Sequence, residues 1–174
     1  MAAKADSQDI CFVPTGRYAR VVEALRPGAF EPGEIVDLDG CVVGRHGGIA
    51  GFTVGQRRGL GVAAKRPLYV IRLEPEARRV VVGPFDALLA DRIALRDVNW
   101  LGDAELPADG VPLQVKVRST RPPVAATVFG RGDRRAEVIL NEPEAAIAPG
   151  QACVFYDGDR VLGGGWIRRN GTAA

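Results

Sequence analysis

Nucleophilic chemistry in this chain would have to come from its three cysteines, at positions 11, 41 and 153. Cys11 lies in the segment Asp6–Phe12, DSQDICF, just before a stretch with helical spacing. Backbone N–H groups at a helix start lower the pKa of a thiol, but the nearby carboxylates of Asp6 and Asp9 raise it. The pattern alone therefore favours a structural role for Cys11. Cys153, between apolar neighbours, is predicted to be a buried small hydrophobe, and Cys41 to fill a strand.

The only histidine, His46, is the one residue that could act as a base beside a cysteine. It precedes Gly47-Gly48 and has no acidic residue nearby in sequence, so we interpret it as an exposed loop histidine. The cysteines have no CxxC spacing, and we predict no metal site. A small, odd number of cysteines also predicts that the chain has no disulfide framework. It favours a location in the cytoplasm, which is a reducing compartment.

A glycine-rich basic loop, Gly55–Gly61 (GQRRGLG), could bind phosphate, because glycines permit close backbone approach and arginine makes bidentate contacts. The net charge of +2 conceals an uneven distribution. Residues 1–40 carry four basic and seven acidic side chains, whereas residues 54–83 carry seven basic and two acidic ones. Residues 111–135 carry six basic side chains and one acidic one. The charge distribution alone is equally consistent with a solvated basic surface and with a surface that binds nucleic acid. The GQRRGLG loop favours the second interpretation, with RNA as the partner.

Several function classes are excluded by what the sequence lacks. It has no GxxxxGK[ST] phosphate loop, and neither of its two serines lies in GxSxG. No apolar run approaches the roughly 20 residues that cross a bilayer, and the first residues show no secretory signal pattern. The composition, 47% hydrophobic and 25% charged, is that of a globular protein.

One helix and a series of strands would position these residues. Residues 15–26 place Tyr18, Val21, Val22 and Leu25 on one face of a helix that ends at Pro27-Gly28. The rest of the chain is typical of β-structure, with turns between short apolar runs. The predicted strands are Glu34–Leu38, Pro67–Leu73, Arg79–Val82, Ile93–Leu101, Pro112–Arg118, Val124–Phe129, Ala136–Leu140 and Ala152–Tyr156.

The predicted fold is mainly β, in two parts. Residues 1–88 form a partial, small α+β central domain with the cysteine loop and the GQRRGLG loop. Residues 89–174 form an antiparallel β-barrel. Within it, alternation in Leu113–Arg118 points Leu113, Val115 and Val117 inward.

The segment Asp6–Phe12 resembles the DSxxICF motif of the tRNA-specific 2-thiouridylases, and Phe52–Gly61 resembles that family's T-[VIL]-GQR-[KR]-GLG motif. The resemblance covers about Lys4 to Ile167 and so nearly the whole chain. The family's SGGxDS loop and first catalytic cysteine are not present, so we expect the C-terminal portion of such an enzyme. Further segments agree in order: Leu68–Val70, Val115–Arg118, Asn141–Pro143, Pro149–Tyr156 and Leu162–Gly165.

The resemblance implies sulfur transfer to the wobble uridine of tRNA. It implies that Cys11 carries a persulfide, which reverses the interpretation from pattern alone, and that a disulfide with the missing cysteine is later reduced. Barrel contacts to tRNA map onto Arg118, Ser119 and Gln151, and we add the loop residues Gln56, Arg57 and Arg58.

The implied partners are tRNA, a sulfur donor (a cysteine desulfurase or sulfur-relay protein) and an N-terminal ATP-pyrophosphatase domain. ATP with Mg²⁺ is expected for the full-length enzyme, while this chain is expected to bind no cofactor and to be inactive alone. Two alternatives stay open: a non-catalytic RNA-binding β-barrel module, and a docking domain without RNA affinity.

Overall fold

The computed structural model describes residues 28, 30–119 and 121–168. Cys11 and the helix predicted over residues 15–26 lie outside the described residues. The described part is mainly β, as predicted, with two sheets and two short 3-10 turns, Ile49–Gly51 and Phe85–Leu88. Among these residues, no helix is long and apolar enough to span a bilayer.

The first sheet is small and mixed, with the strand order β2-β1-β4-β3. Strands β1 and β4 are parallel, and the other neighbours are antiparallel. Its apolar face buries Ile35, Val70, Val80 and Val82 together with Leu60 from the glycine-rich loop. The loop is therefore part of the core of this sheet. The strands are β1 (Gly33–Val36), β2 (Val42–His46), β3 (Tyr69–Glu74) and β4 (Arg79–Gly83).

The second sheet is a closed barrel of six antiparallel strands in the order β10-β5-β8-β7-β6-β9. The register places the β6–β7 turn, the end of β8 and the start of β9 at one end of the barrel, which we call the near end. The β9–β10 turn lies at the opposite, far end. The strands are β5 (Leu89–Trp100), β6 (Val111–Lys116), β7 (Val124–Gly130), β8 (Ala136–Ala145), β9 (Ala152–Asp157) and β10 (Arg160–Ile167).

Alternation along the strands fills the barrel, as predicted for β6. Val115 and Val117 are buried, Leu113 packs partly against the core, and Gln114 is exposed. Among the described residues, Phe155 is the largest fully buried side chain, and its ring lies near the indole of Trp100. Burial of this one apolar interior accounts for most of the barrel's stability.

All eight predicted strands are present with shifted ends, and two further strands, β2 and β10, were not predicted. The predicted division into domains 1–88 and 89–174 stays a prediction. Strand β10 includes Gly163 and Gly164, which pack directly against the backbone of its two neighbouring strands. A Cβ on Gly163 would lie 2.1 Å from the Asn99 oxygen, and one on Gly164 would lie 2.5 Å from the Cys153 oxygen. Glycine is thus required where β10 closes the barrel.

His46 is not the exposed loop histidine that we expected from its glycine neighbours. It ends β2 and is only 7% exposed. Its Nδ1 accepts from the Gly48 N–H at 3.1 Å, and its Nε2 lies 3.2 Å from the Arg78 oxygen. The neutral tautomer with hydrogen on Nε2 satisfies both partners. The ring therefore links the end of β2 to the β3–β4 turn by a hydrogen bond. This structural role explains the buried position of His46 without a pairing with a cysteine.

Cys41 and Cys153 differ in a way that thiol labelling can test. Cys153 is fully buried in the barrel, as predicted, and burial raises the pKa of its thiol to about 12. Cys41 is an exposed free thiol whose N–H donates to Asp37 Oδ1 at 2.8 Å. In a Cys11→Ser chain, we expect the Cys41 thiol to react with a disulfide reagent in the native state. The Cys153 thiol should react only after unfolding, even at pH 9, because the thiolate is the nucleophile and the raised pKa keeps this buried thiol protonated.

The control for this experiment is Cys11→Ser/Cys41→Ser, in which native labelling should disappear. Fast native labelling that survives in the double variant would show that Cys153 is accessible, contrary to its burial.

Candidate nucleic-acid interface

The GQRRGLG loop is held in place by both the backbone and the side chain of Gln56. The Gly55 N–H donates to the Val70 oxygen at 2.8 Å, and the Val70 N–H donates to the Gln56 oxygen at 2.9 Å. The Gln56 side chain accepts from the Thr53 N–H at 3.0 Å and donates to the Arg58 oxygen at 2.9 Å. Both ends of the amide are therefore used inside the loop, so Gln56 shapes it.

The result is that Arg57 and Arg58 are exposed at the tip of a fixed loop. Beyond them, Leu60 is buried between Gly59 and Gly61, whose φ angles of 74° and 67° are in the left-handed region. Glycine adopts this conformation without the steric cost that other residues incur. The loop is thus anchored on both sides of its two arginines.

The loop meets the near end of the barrel at Gly55. A Cβ on Gly55 would lie 2.7 Å from the Ala146 Cβ, and Gly55 has a φ of 86°. Only glycine fits this contact without displacing the barrel loop. Ala146, which follows β8, is itself buried with a φ of 55°, and its N–H donates to the Leu88 oxygen at 3.1 Å.

Arg118, at the near end of the barrel, stabilises the same contact between Gly55 and Ala146. Its Nη2 donates to the Ala146 oxygen at 2.6 Å and lies 4.0 Å from the position of a Cβ on Gly55. The side chain is half-buried, and no described carboxylate neutralises it. One nitrogen of the guanidinium is committed to the protein, and the rest of its planar fork has donors left for a ligand.

Ser119 and Gln151 complete the near end. Ser119 is exposed in the turn after β6, in which the Arg121 N–H donates to the Arg118 oxygen at 3.4 Å. The Pro149-Gly150 turn leads into β9, and the Ile167 N–H donates to the Gln151 oxygen at 2.8 Å. The Gln151 side chain is exposed. Arg118, Ser119 and Gln151 are therefore brought to one end of the barrel, next to the loop of Gln56, Arg57 and Arg58.

The basic side chains of the described residues fall into two sets. Eight arginines each make an ion pair with a carboxylate, and two of them, Arg92 and Arg131, share Glu137. The others have no ion pair with a described residue, and four of these, Arg57, Arg58, Lys65 and Arg66, lie in the glycine-rich loop and the segment after it. The remaining unpaired ones are Arg45, Lys116, Arg118, Arg134, Arg135 and Arg168.

Ala146, which forms the contact between the barrel and the loop, was not predicted from the sequence. An alanine in the left-handed region carries no sequence signal, because its side chain does not favour that conformation. Lys65 and Arg66 were recognisable only as members of a basic block. The fold shows that they lie on the same glycine-rich segment as Arg57 and line one shallow depression with it.

The described residues form a closed antiparallel barrel and a small mixed sheet, which meet where Gly55 of the basic loop contacts Ala146. Two family models match, the "tRNA methyl transferase PRC-barrel domain" over residues 25–84 and the "Aminomethyltransferase beta-barrel domain" over residues 90–167.

Among curated proteins, the chain is 60% identical over 179 residues to the tRNA-specific 2-thiouridylase MnmA of Parvibaculum lavamentivorans, covering 97% of this chain and 45% of the relative. It is 61% identical over 170 residues to the protein of the same name from Maricaulis maris, covering 96% of this chain and 42% of the relative. The chain belongs to the tRNA-specific 2-thiouridylase family and corresponds to a C-terminal portion of its members. It spans under half the length of these relatives.

Proposed function

We propose that this chain is the tRNA-binding and sulfur-carrying part of a cytoplasmic enzyme that makes 2-thiouridine at the wobble position of tRNA. The observation that carries the proposal is the convergence at the near end of the barrel. Arg118, Ser119 and Gln151 lie there beside a loop whose arginines have no carboxylate partner among the residues that the structure describes. Membership of the 2-thiouridylase family supplies the class of substrate.

The side chains suit an RNA ligand in different ways. Arg57 and Arg58 can bind backbone phosphates as exposed cations, and Arg118 can add a charge-assisted hydrogen bond from a fixed position. Ser119 and Gln151 can bond to a sugar hydroxyl, a phosphate or a base edge. Gln56 was predicted to bind tRNA. Since its amide is used within the loop, we now propose that it positions Arg57 and Arg58 instead.

Cys11 would carry the sulfur. Its thiolate attacks the terminal sulfur of a donor persulfide, and the donor leaves as a thiolate, so that Cys11 becomes a persulfide. ATP would activate the uridine C2 oxygen as a leaving group, and that step needs residues outside this chain. The terminal sulfur of the Cys11 persulfide would attack C2 and displace the activated oxygen, because persulfide sulfur is nucleophilic at neutral pH. A second cysteine, outside this chain, would then attack the Cys11 sulfur, which breaks the sulfur–sulfur bond, releases the thiouridine and leaves a disulfide that a reductant reopens.

The binding part of this proposal predicts a specific salt dependence. Replacing both Arg57 and Arg58 by glutamine removes two phosphate contacts. We therefore expect the slope of log K against log salt for tRNA binding to fall in magnitude by roughly 1.4–1.8. Fluorescence anisotropy with a labelled tRNA at several salt concentrations measures this slope.

The matched control is Arg78→Gln/Arg79→Gln, which removes the same charge from two adjacent arginines of the small sheet. These pair with Glu31 and Glu34, so the slope should hardly change. Equal slope changes in the two double variants would mean that only net charge matters. No tRNA binding by the parent chain at low salt would contradict the proposed function itself.

A further inference from the structure

A cleft on the outer wall of the barrel is lined by residues that do not belong to the near-end site. It has a volume of about 490 Å³ and lies between β5 and the turn that joins β7 to β8. Four arginines line it: Arg92, Arg131, Arg135 and Arg168. One carboxylate, Glu137, lies among them, which leaves an excess of three positive charges.

Glu137 holds two of these arginines in place. Its Oε2 accepts from Arg131 Nη2 at 2.7 Å, and its Oε1 accepts from Arg92 Nη1 at 3.2 Å. The hydrogen bond and charge of Arg131, aided by Arg92, lower the pKa of Glu137, so it is ionised at neutral pH. Arg131 is further fixed by the Ala108 oxygen at 3.3 Å and by the face of the Phe129 ring at 5.0 Å.

The other two arginines have fixed backbones and unpaired side chains. The Arg135 N–H donates to the Gly132 oxygen at 2.7 Å, and the Arg168 N–H donates to the Ala94 oxygen at 2.8 Å. Neither guanidinium makes an ion pair or a side-chain hydrogen bond with a described residue. The cleft therefore combines two arginines that share Glu137 with two whose guanidinium groups bond to no other described residue.

The cleft is continuous with the near end of the barrel. Arg92 and Arg168 also line a neighbouring groove, together with Thr53, Ala148 and Pro149. Arg168 follows Ile167, whose N–H bonds to the Gln151 oxygen. Pro149, which precedes Gln151 by two residues, and Arg168 thus connect the turn before β9 with the cleft.

We propose that this arginine cleft binds a second stretch of phosphodiester backbone of the same tRNA. Phosphate is favoured because arginine forks match its oxygens, and because two of the four cations have no carboxylate partner among the described residues. The proposal rests on the proposed function, in that the ligand is the tRNA bound at the near end. It extends the RNA-binding surface from the end of the barrel around its side.

The test is Arg135→Gln/Arg168→Gln in the full 174-residue chain, with anisotropy of a labelled tRNA from 50 to 200 mM salt. Loss of two phosphate contacts should lower the magnitude of the salt slope by roughly 1.4–1.8. At 50 mM salt we expect weaker binding than that of the parent chain, and the two affinities should converge as salt rises. Thermal unfolding should be unchanged, since both side chains are exposed.

The matched control is Arg96→Gln/Arg160→Gln, which removes two barrel arginines that pair with Asp97 and Asp103. An unchanged slope in the control and a reduced slope in the cleft variant support the proposal. An unchanged slope in the cleft variant, while Arg57→Gln/Arg58→Gln still reduces it, overturns the cleft and leaves the proposed function standing. No binding by the parent chain overturns both.

Discussion

Replacing Arg118 by alanine is expected to weaken tRNA binding by about 1–3 kcal/mol, which is a rise in Kd of roughly 5–150-fold. The effect is large because this arginine is pre-positioned. Its Nη2 bond to the Ala146 oxygen fixes the guanidinium at the junction of loop and barrel, so little side-chain entropy is lost on binding. Titration of a labelled tRNA at constant salt measures the change.

Two further variants test whether Arg118 contacts tRNA directly. Arg118→Lys keeps the charge but loses the planar fork, so we expect an intermediate loss of affinity. Arg160→Ala removes an arginine at the far end of the barrel and should change affinity little. Equal affinity of Arg118→Ala and the parent chain would refute the assignment of Arg118 to the tRNA interface.

Arg118→Ala should also loosen the junction itself. The Ala146 oxygen would lose its bond from a half-buried donor, which costs roughly 0.5–1.5 kcal/mol of stability. Denaturant unfolding measures this loss independently of RNA. A variant that unfolds earlier but binds tRNA unchanged would assign Arg118 to structure alone.

Replacing Cys11 by serine is expected to abolish sulfur loading from a cysteine desulfurase. A serine hydroxyl is a poor nucleophile towards persulfide sulfur at neutral pH, so no sulfur would be transferred to position 11. Radiolabelled cysteine, a desulfurase and a non-reducing gel show the labelled chain directly. The label should be released by a reductant, because the new bond is a sulfur–sulfur bond.

The other cysteines supply the controls. Cys153→Ser removes a thiol that the barrel encloses, and Cys41→Ser removes an exposed thiol whose backbone N–H donates to Asp37. Both variants should load sulfur as the parent does. Loading that persists in Cys11→Ser would favour the alternative of a non-catalytic RNA-binding module, as would no loading of any variant.

The barrel was predictable from the sequence because its strands alternate and are separated by turn residues. Strand β6 is the clearest example, with Val115 and Val117 inward and Gln114 outward. Strand β10 was missed because three of its eight residues are glycines, which have low strand propensity. Its place is set by backbone packing against β5 and β9, and tertiary contacts of that kind leave little trace in local sequence.

His46 was misinterpreted for a related reason. Glycine neighbours suggested an open loop, but glycines also let a chain turn tightly around a buried ring. The partner that buries it, the Arg78 oxygen, is 32 residues away. Hydrogen bonds of such range to backbone atoms are invisible in the sequence.

The candidate site was only partly predictable. The exposed residues Arg57, Arg58, Ser119 and Gln151 followed from charge and from family resemblance. The contact that gathers them, between Gly55 and Ala146, did not, because it depends on a left-handed alanine and on how the barrel meets the loop. Cys11 lies outside the described residues, so its role stays a prediction.

Closure of the barrel through β10 has a consequence for synthesis. Strand β5 is the first barrel strand to leave the ribosome, and one of its two neighbours, β10, is the last. Until then the nascent chain exposes the open edges of β5 and β9, which are templates for wrong pairing. The barrel end that we assign to tRNA also depends on this last step, since Gln151 bonds to Ile167. A ribosome that stops short of β10 would therefore release a chain without a finished RNA-binding surface.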